Sequence, residues 1–147
     1  MTEHKRDYTP VKIHLTTSIS QEGEKETISF TTFGRYYQKA GAYFLKYDEV
    51  LEEGTVKTIV KVKETTGLIM RSGALKMRLA FDLRTKMNGS YESAHGTFLL
   101  QTTTKKLSHT MLSDTEGEIL LIYDLSMQGS VVGTYKMNIT YKEDLEA

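Results

Sequence analysis

The sequence contains no cysteine and no tryptophan, and it has a single proline. Without cysteine the chain can form no disulfide, no thiolate nucleophile and no cysteine-ligated zinc site. The one proline, Pro10, stands where the first predicted strand begins, and its missing N–H does little harm there. No apolar run approaches the roughly 20 residues of a membrane-spanning helix, so we expect no such helix and no membrane partner.

Net charge is also absent, because 19 lysines and arginines balance 19 aspartates and glutamates. A neutral chain is not drawn as a whole to nucleic acid or to membranes. Residues 1–8 carry charges with no apolar stretch behind them, so we expect no signal peptide and a cytoplasmic protein. The length of 147 residues suits one domain spanning residues 1–147, with an ordered core at about residues 10–142.

Apolar residues recur at every second position along most of the chain. This alternation is typical of half-buried strands, and it occurs in six runs at residues 11–19, 28–30, 43–47, 56–62, 75–81 and 131–141. The last run counts Val131 among its apolar residues. No window has the i, i+3, i+4, i+7 spacing of an amphipathic helix. The pattern therefore predicts an all-β protein.

Turn-forming residues separate these runs at short intervals. Asn88-Gly89 is the strongest signal, because both residues favour the positive φ of a two-residue hairpin. Other reversals are predicted at residues 21–23, 52–54, 65–67, 94–96, 114–117 and 128–129. Short connections favour a meander, and closing the meander removes its two open edges. We predict an antiparallel up-and-down β-barrel of about 8–10 strands, with a sandwich as the alternative.

Several segments of the chain carry short motifs that match those of a known protein family. The most specific segment is Arg71-Ser72-Gly73, within a stretch at 68–77 that follows another matching run at 56–63. Shorter matching pieces are Gly34-x-Tyr36-Tyr37, Tyr47-x-Glu49, Thr102-x-Thr104-Lys105, Ile122-Tyr123-Asp124 and Met137-x-Ile139-Thr140-Tyr141. In these segments the chain resembles the uncharacterised bacterial YwiB-like family, whose fold is a lipocalin-like, calycin-type β-barrel. The resemblance implies the barrel but no activity, because the family is known mainly as a fold. Transport of an apolar ligand would be an analogy at the level of the fold alone.

No catalytic, metal-binding or nucleotide-binding motif stands out in the chain. The four histidines form no pair at i, i+2 or i, i+4 spacing, so we expect no metal site. A G-x-S-x-G elbow and a G-x-x-x-x-G-K phosphate loop are both missing from the sequence. Catalytic carboxylates need no local motif, which leaves an enzyme open. The sequence nevertheless favours a non-catalytic barrel without a cofactor.

Polar residues on apolar strand faces are the candidates for a binding site. Glu49 lies on the same side of its strand as Tyr47, whereas apolar residues on both sides of Arg71 leave its orientation open. Buried charges must be paired, so Glu49 and Arg71 should contact each other or the hydroxyls of Tyr123 and Tyr135. The pair either fixes the strand register or anchors a small molecule at the barrel mouth. Bulky inward side chains favour a filled interior.

Basic residues are concentrated in one segment of the chain. Residues 54–86 contain eight basic and two acidic side chains, so the segment carries +6 and the remainder −6. We define the basic face as the outward residues of two nearby strands, namely Lys57, Lys61, Lys63, Lys76 and Arg78. This face is either a solvated surface that discourages edge pairing or a site for RNA, DNA or an acidic protein. We expect no outward aromatic residue on these strands, which disfavours nucleic acid.

Overall fold

The computed structural model describes residues 7–146, whose ten strands form one closed antiparallel barrel. The strands are β1 (Thr9–Gln21), β2 (Glu24–Lys39), β3 (Ala42–Leu51), β4 (Gly54–Lys63), β5 (Thr66–Gly73), β6 (Lys76–Asp82), β7 (Met87–Ser93), β8 (Gly96–Ser113), β9 (Glu116–Met127) and β10 (Ser130–Glu143). Each strand pairs with its neighbours in sequence, and β10 pairs with β1. The predicted all-β, up-and-down barrel is confirmed. None of the described residues belongs to a helix long and apolar enough to cross a membrane.

The inward residues of the strands form the core of the barrel. Ile13, Leu45, Phe81, Ile139 and Tyr141 are among the most deeply buried side chains. All five occupy alternate positions that the two-residue periodicity predicts to face inward. Burial of their apolar surface stabilises the fold by about 25 cal/mol per Å² removed from water. The alternation therefore determines both the sheet and its inner face.

Two local predictions are wrong. Asn88 and Gly89 lie inside β7, and the chain reverses before it, at residues 83–86. Gly89 faces the neighbouring strand, where a Cβ atom would overlap the Arg78 carbonyl oxygen, so the glycine serves close strand approach rather than a turn. Val131 is 72% exposed, because the pairing of β10 with β9 shifts between Val131 and Gly133. A bulge of this kind reverses the side to which the preceding residue points.

The two ends of the barrel differ in their connections. We call the upper end the one with the turns at residues 22–23, 52–53, 74–75, 94–95 and 128–129, and the lower end the one with the remaining turns. At the upper end the pairing of β2 with β3 stops at Gly34 and Tyr47. Residues 24–33 therefore pair with β1, and residues 48–51 pair with β4, but the two stretches are not paired with each other. This interruption lies beside the candidate site.

Candidate functional site

A cavity of about 340 Å³ lies inside the upper end of the barrel. Its wall is mainly apolar, with contributions from Phe30, Ile69, Met77 and Leu125. The volume lies in the range of small-molecule sites, which begins at about 300 Å³. The bulky inward side chains thus leave part of the interior unfilled, contrary to the expectation of a filled barrel.

All five residues proposed from the sequence as ligand contacts line this cavity. These residues are Tyr47, Glu49, Arg71, Tyr123 and Tyr135. The strand register explains their convergence, since Tyr47 of β3 lies opposite Thr58 of β4, and Thr58 lies opposite Arg71 of β5. On the other side of the barrel, Tyr123 of β9 lies opposite Tyr135 of β10.

Glu49 and Arg71 form an ion pair at the polar side of the cavity. Arg71 Nη2 donates a hydrogen bond to Glu49 Oε2 at 3.0 Å, and Thr58 Oγ1 donates to Glu49 Oε1 at 3.2 Å. The side chains of Arg71 and Glu49 are 23% and 17% exposed. Each carboxylate oxygen thus has a donor. Arg71 Nε, in contrast, is buried and has no hydrogen-bond partner among residues 7–146. The guanidinium therefore retains one N–H group that makes no hydrogen bond within the described residues.

The tyrosines form an aromatic and polar wall. Burial raises the pKa of Tyr47 well above its usual range, and the nearby Glu49 carboxylate adds to this rise. Burial likewise raises the pKa of Tyr123. Both phenols are therefore protonated at neutral pH and can donate hydrogen bonds. The rings of Tyr123 and Tyr135 stack with their centroids 5.2 Å apart and their planes at 11°.

A second aromatic cluster fills the lower end of the barrel. His109 Nε2 is hydrogen-bonded to the hydroxyl of Tyr141, whose ring stacks on Tyr36 with centroids 4.8 Å apart. The centroid of the His109 ring also lies 4.2 Å from that of the Tyr43 ring. Partial burial lowers the pKa of His109, so the neutral ring is favoured. Over residues 7–146, no three His, Cys, Asp or Glu side chains are grouped as metal ligands.

The profile of the domain of unknown function DUF1934 matches residues 13–139 of the chain. The chain belongs to the DUF1934 family. The uncharacterized beta-barrel protein YwiB of Bacillus subtilis (strain 168) is 37% identical over 134 residues, which are 91% of this chain and 94% of that protein. The crystal structure of the ywiB protein from Bacillus subtilis has a TM-score of 0.83 and 36% identity, covering 95% of this chain and 94% of that one. The family resemblance seen in the sequence is confirmed.

In this DUF1934 barrel the five residues of the basic face all point outward. Lys57, Lys61 and Lys63 are on β4, and Lys76 and Arg78 are on β6. Strand β5 lies between these two strands, so the five side chains occupy one side of the barrel wall. None of the five forms a salt bridge within the described part of the chain.

Strands β4 and β6 themselves carry no outward aromatic residue, but the neighbouring strands place aromatic residues beside the lysines. Register places Phe44 of β3 beside Lys61, and Tyr37 of β2 beside Phe44. Phe33 of β2 is 61% exposed. These aromatics lie on β2 and β3, outside the basic segment at 54–86, and only the strand pairing brings them beside the lysines.

Sequence reasoning also missed Thr58, the second donor to Glu49. Thr58 is buried and lies between Val56 and Val60 in the inward row of β4. Its signal in the sequence was a polar residue at an inward position of an otherwise apolar alternation. Threonine is common in strands for its β-branched shape, which conceals such a signal.

Proposed function

We propose that the barrel binds one small, mainly apolar molecule in its upper cavity and does not catalyse a reaction on it. The observation that carries this proposal is Arg71 Nε, which is buried at a cavity of about 340 Å³ and has no partner among residues 7–146. A buried donor left without a partner costs about 1–3 kcal/mol. We expect a ligand to displace the Arg71 side chain slightly, so that this N–H meets a ligand oxygen and the cost is offset.

The charges at the site favour an uncharged ligand head. Glu49 and Arg71 neutralise each other at 3.0 Å, so the polar side of the cavity has no net charge. A carbonyl or ether oxygen can accept a hydrogen bond from Arg71 Nε, whereas a carboxylate would also be repelled by Glu49. The remainder of the ligand would contact the apolar wall around Phe30 and Met77. The expected ligand is thus a compact apolar molecule with one acceptor group.

The protonation of the site supports binding without catalysis. Tyr47 and Tyr123 have raised pKa values, so neither phenol is poised to act as a base near neutral pH. Both oxygens of Glu49 already accept hydrogen bonds, one from Thr58 and one from Arg71. The groups at the site are therefore suited to position a ligand.

The cytoplasmic location expected from the sequence remains a prediction.

Equilibrium dialysis with 6-propionyl-2-(dimethylamino)naphthalene, a neutral and mainly apolar probe with a carbonyl oxygen, tests this proposal. Met77→Trp places a larger side chain in the cavity that Met77 lines, so its affinity for the probe should fall at least about tenfold, the difference that 1.4 kcal/mol makes. Met70→Trp is the matched control, because Met70 of the adjacent strand points outward and is 43% exposed. Circular dichroism of both variants checks their fold. Equal probe binding by the folded variants would show that the cavity is not the site.

A further inference from the structure

A groove of basic and apolar side chains runs across the outer wall of β2 to β5. We define the outer groove by six of its lining residues, Phe33, Arg35, Lys46, Lys57, Ile59 and Met70. Register places Arg35 beside Lys46, Lys46 beside Ile59, and Ile59 beside Met70, so the groove crosses four neighbouring strands. Its volume is about 470 Å³.

The cations of this groove are available for an external partner. The three salt bridges within residues 7–146 join Arg71 to Glu49, Arg84 to Asp82, and Lys105 to Asp124. None of them involves a cation of the outer groove, although the Arg35 guanidinium lies over the Tyr8 ring, 4.4 Å from its centroid. One carboxylate, Asp48, lines the groove, against the positive charges of Arg35, Lys46 and Lys57. Arg78 lies beyond Met70 in the same row of the groove, and Lys61 lies in the adjoining row, so both extend the positive region. The surface is therefore complementary to a chain of negative charges.

Aromatic rings accompany these cations. Phe33 is 61% exposed at the edge of the outer groove. Tyr37 and Phe44 stack on each other in the row next to Arg35 and Lys46, with ring centroids 4.7 Å apart and planes at 5°. Lys46 Nζ lies 5.5 Å from the Tyr37 ring centroid, and Lys61 Nζ lies 5.7 Å from that of Phe44. The exposed Phe33 ring, together with these cations, offers both stacking and ionic contacts to one ligand.

We propose that the outer groove binds single-stranded nucleic acid, with phosphates on Arg35, Lys46 and Lys57 and a base stacked on Phe33. Unpaired bases have exposed π faces that stack on aromatic side chains, and the backbone follows a positively charged groove. An acidic protein would satisfy the lysines but would leave the exposed Phe33 ring without a counterpart. This binding is independent of the ligand proposed for the cavity, because the groove side chains named here point to the other side of the sheet.

Fluorescence anisotropy with a labelled oligothymidylate tests the charge contribution. The triple variant Lys46→Glu, Lys57→Glu, Lys61→Glu should lose at least about tenfold more affinity than its control, because two proposed phosphate contacts and the neighbouring Lys61 charge become repulsive. The control is Lys106→Glu, Lys136→Glu, Lys142→Glu, which makes the same change of net charge at exposed positions on β8 and β10. Equal losses in the two triple variants would mean that overall charge, and not the groove, governs binding.

The aromatic contribution is tested with heparin, a polyanion that has no bases. Phe33→Ala should lower the affinity for oligothymidylate by roughly fivefold or more and leave heparin binding unchanged, since stacking is lost only for bases. Phe33→Tyr should retain the oligothymidylate affinity. The proposal is overturned if wild-type protein does not bind oligothymidylate at about 50 mM salt, or if Phe33→Ala has no effect on it. Tighter binding to polyglutamate than to oligothymidylate would assign the groove to an acidic protein instead.

Discussion

Glu49 and Arg71 form the polar centre of the cavity while remaining partly in contact with solvent. Their side chains are 17% and 23% exposed, so neither is fully desolvated. The penalty for stranding either charge is therefore smaller than the 3–5 kcal/mol typical of fully buried pairs. The remaining exposure also allows a ligand to approach Arg71 without unfolding the wall around it.

Arg71→Ala should lower the free energy of unfolding by about 1–3 kcal/mol, because Glu49 then loses its charged donor at 3.0 Å. For a chain of this length the melting temperature should fall by several degrees. The double variant Glu49→Gln, Arg71→Met should recover part of the loss, since no partly buried charge remains unpaired. Thermal and urea denaturation of the wild type, the single variants and the double variant measure the coupling. Strictly additive effects would mean that the two side chains do not interact in solution.

His109 predicts a loss of stability on acidification. An unfolded histidine has a pKa near 6.5, and burial lowers the pKa of His109 in the barrel. Between these two values the unfolded chain binds more protons, so stability falls as the pH drops below about 6.5 and levels off below the folded pKa. Melting temperatures measured one pH unit above and one pH unit below about 6.5 should differ less in His109→Gln than in the wild type. His14→Gln is the control, because His14 points outward toward Thr31; the same reduction in both variants would contradict the assignment.

At the scale of the strands, Gly34 permits the closest approach of β2 to β3. A Cβ atom at this position would overlap the Lys46 carbonyl oxygen and come within 2.9 Å of Ile13 Cδ1. Gly34→Ala should therefore destabilise the barrel by about 1–3 kcal/mol through overpacking. Gly67→Ala is the control, because Gly67 is also in a strand and its added Cβ would meet neighbours at 3.4 Å. In urea denaturation, Gly34→Ala should have a clearly smaller free energy of unfolding than Gly67→Ala. The reverse order would contradict the close approach of β2 and β3 at Gly34.

Most strands could be predicted from the sequence, because the side chains of a half-buried strand alternate between an apolar and a polar face. Asn88-Gly89 shows where such reasoning fails. The pair satisfies the local requirements of a turn, but a glycine is equally required where two strands approach closely, as β7 does at Arg78. The prediction that Val131 faces inward is wrong for a different reason. The register shift before Gly133 depends on the pairing with β9 and does not alter the alternation of apolar residues in the sequence.

The residues of the candidate site could be selected from the pattern of single strands, whereas the contacts between them depend on how several strands pair. Glu49 continues the inward row of Tyr47, and this local pattern sufficed to select it. Its contact with Arg71 was one of the two pairings expected for these charges, and the choice between them requires the register of β3, β4 and β5, which the sequence alone does not give. The aromatic residues of the outer groove were missed for the same reason, because Phe33 is far in sequence from Lys57.

Across the whole molecule, the same strands supply an inner and an outer surface of different chemistry. On β4, Thr58 points into the cavity while its neighbour Lys57 points into the outer groove. A shift of one residue in register would exchange the two surfaces, so the apolar core also protects the separation of the two proposed sites. The lower end, filled by the aromatic cluster around His109 and Tyr141, leaves the upper end as the side from which a small molecule would enter.

The methionine methyl groups test the central claim, ligand binding in the upper cavity, most directly. Met77 and Met137 line the cavity, whereas Met70 points outward and Met111 contacts Tyr141 at the lower end. Protein labelled with ¹³C at its methionine methyls is titrated with 6-propionyl-2-(dimethylamino)naphthalene, the same carbonyl-bearing probe, and followed by NMR. We predict that the resonances of Met77 and Met137 shift together and saturate, while those of Met70 and Met111 stay in place. Shifts confined to Met70, or no shift at any methionine, would contradict the proposal that the barrel interior is the binding site.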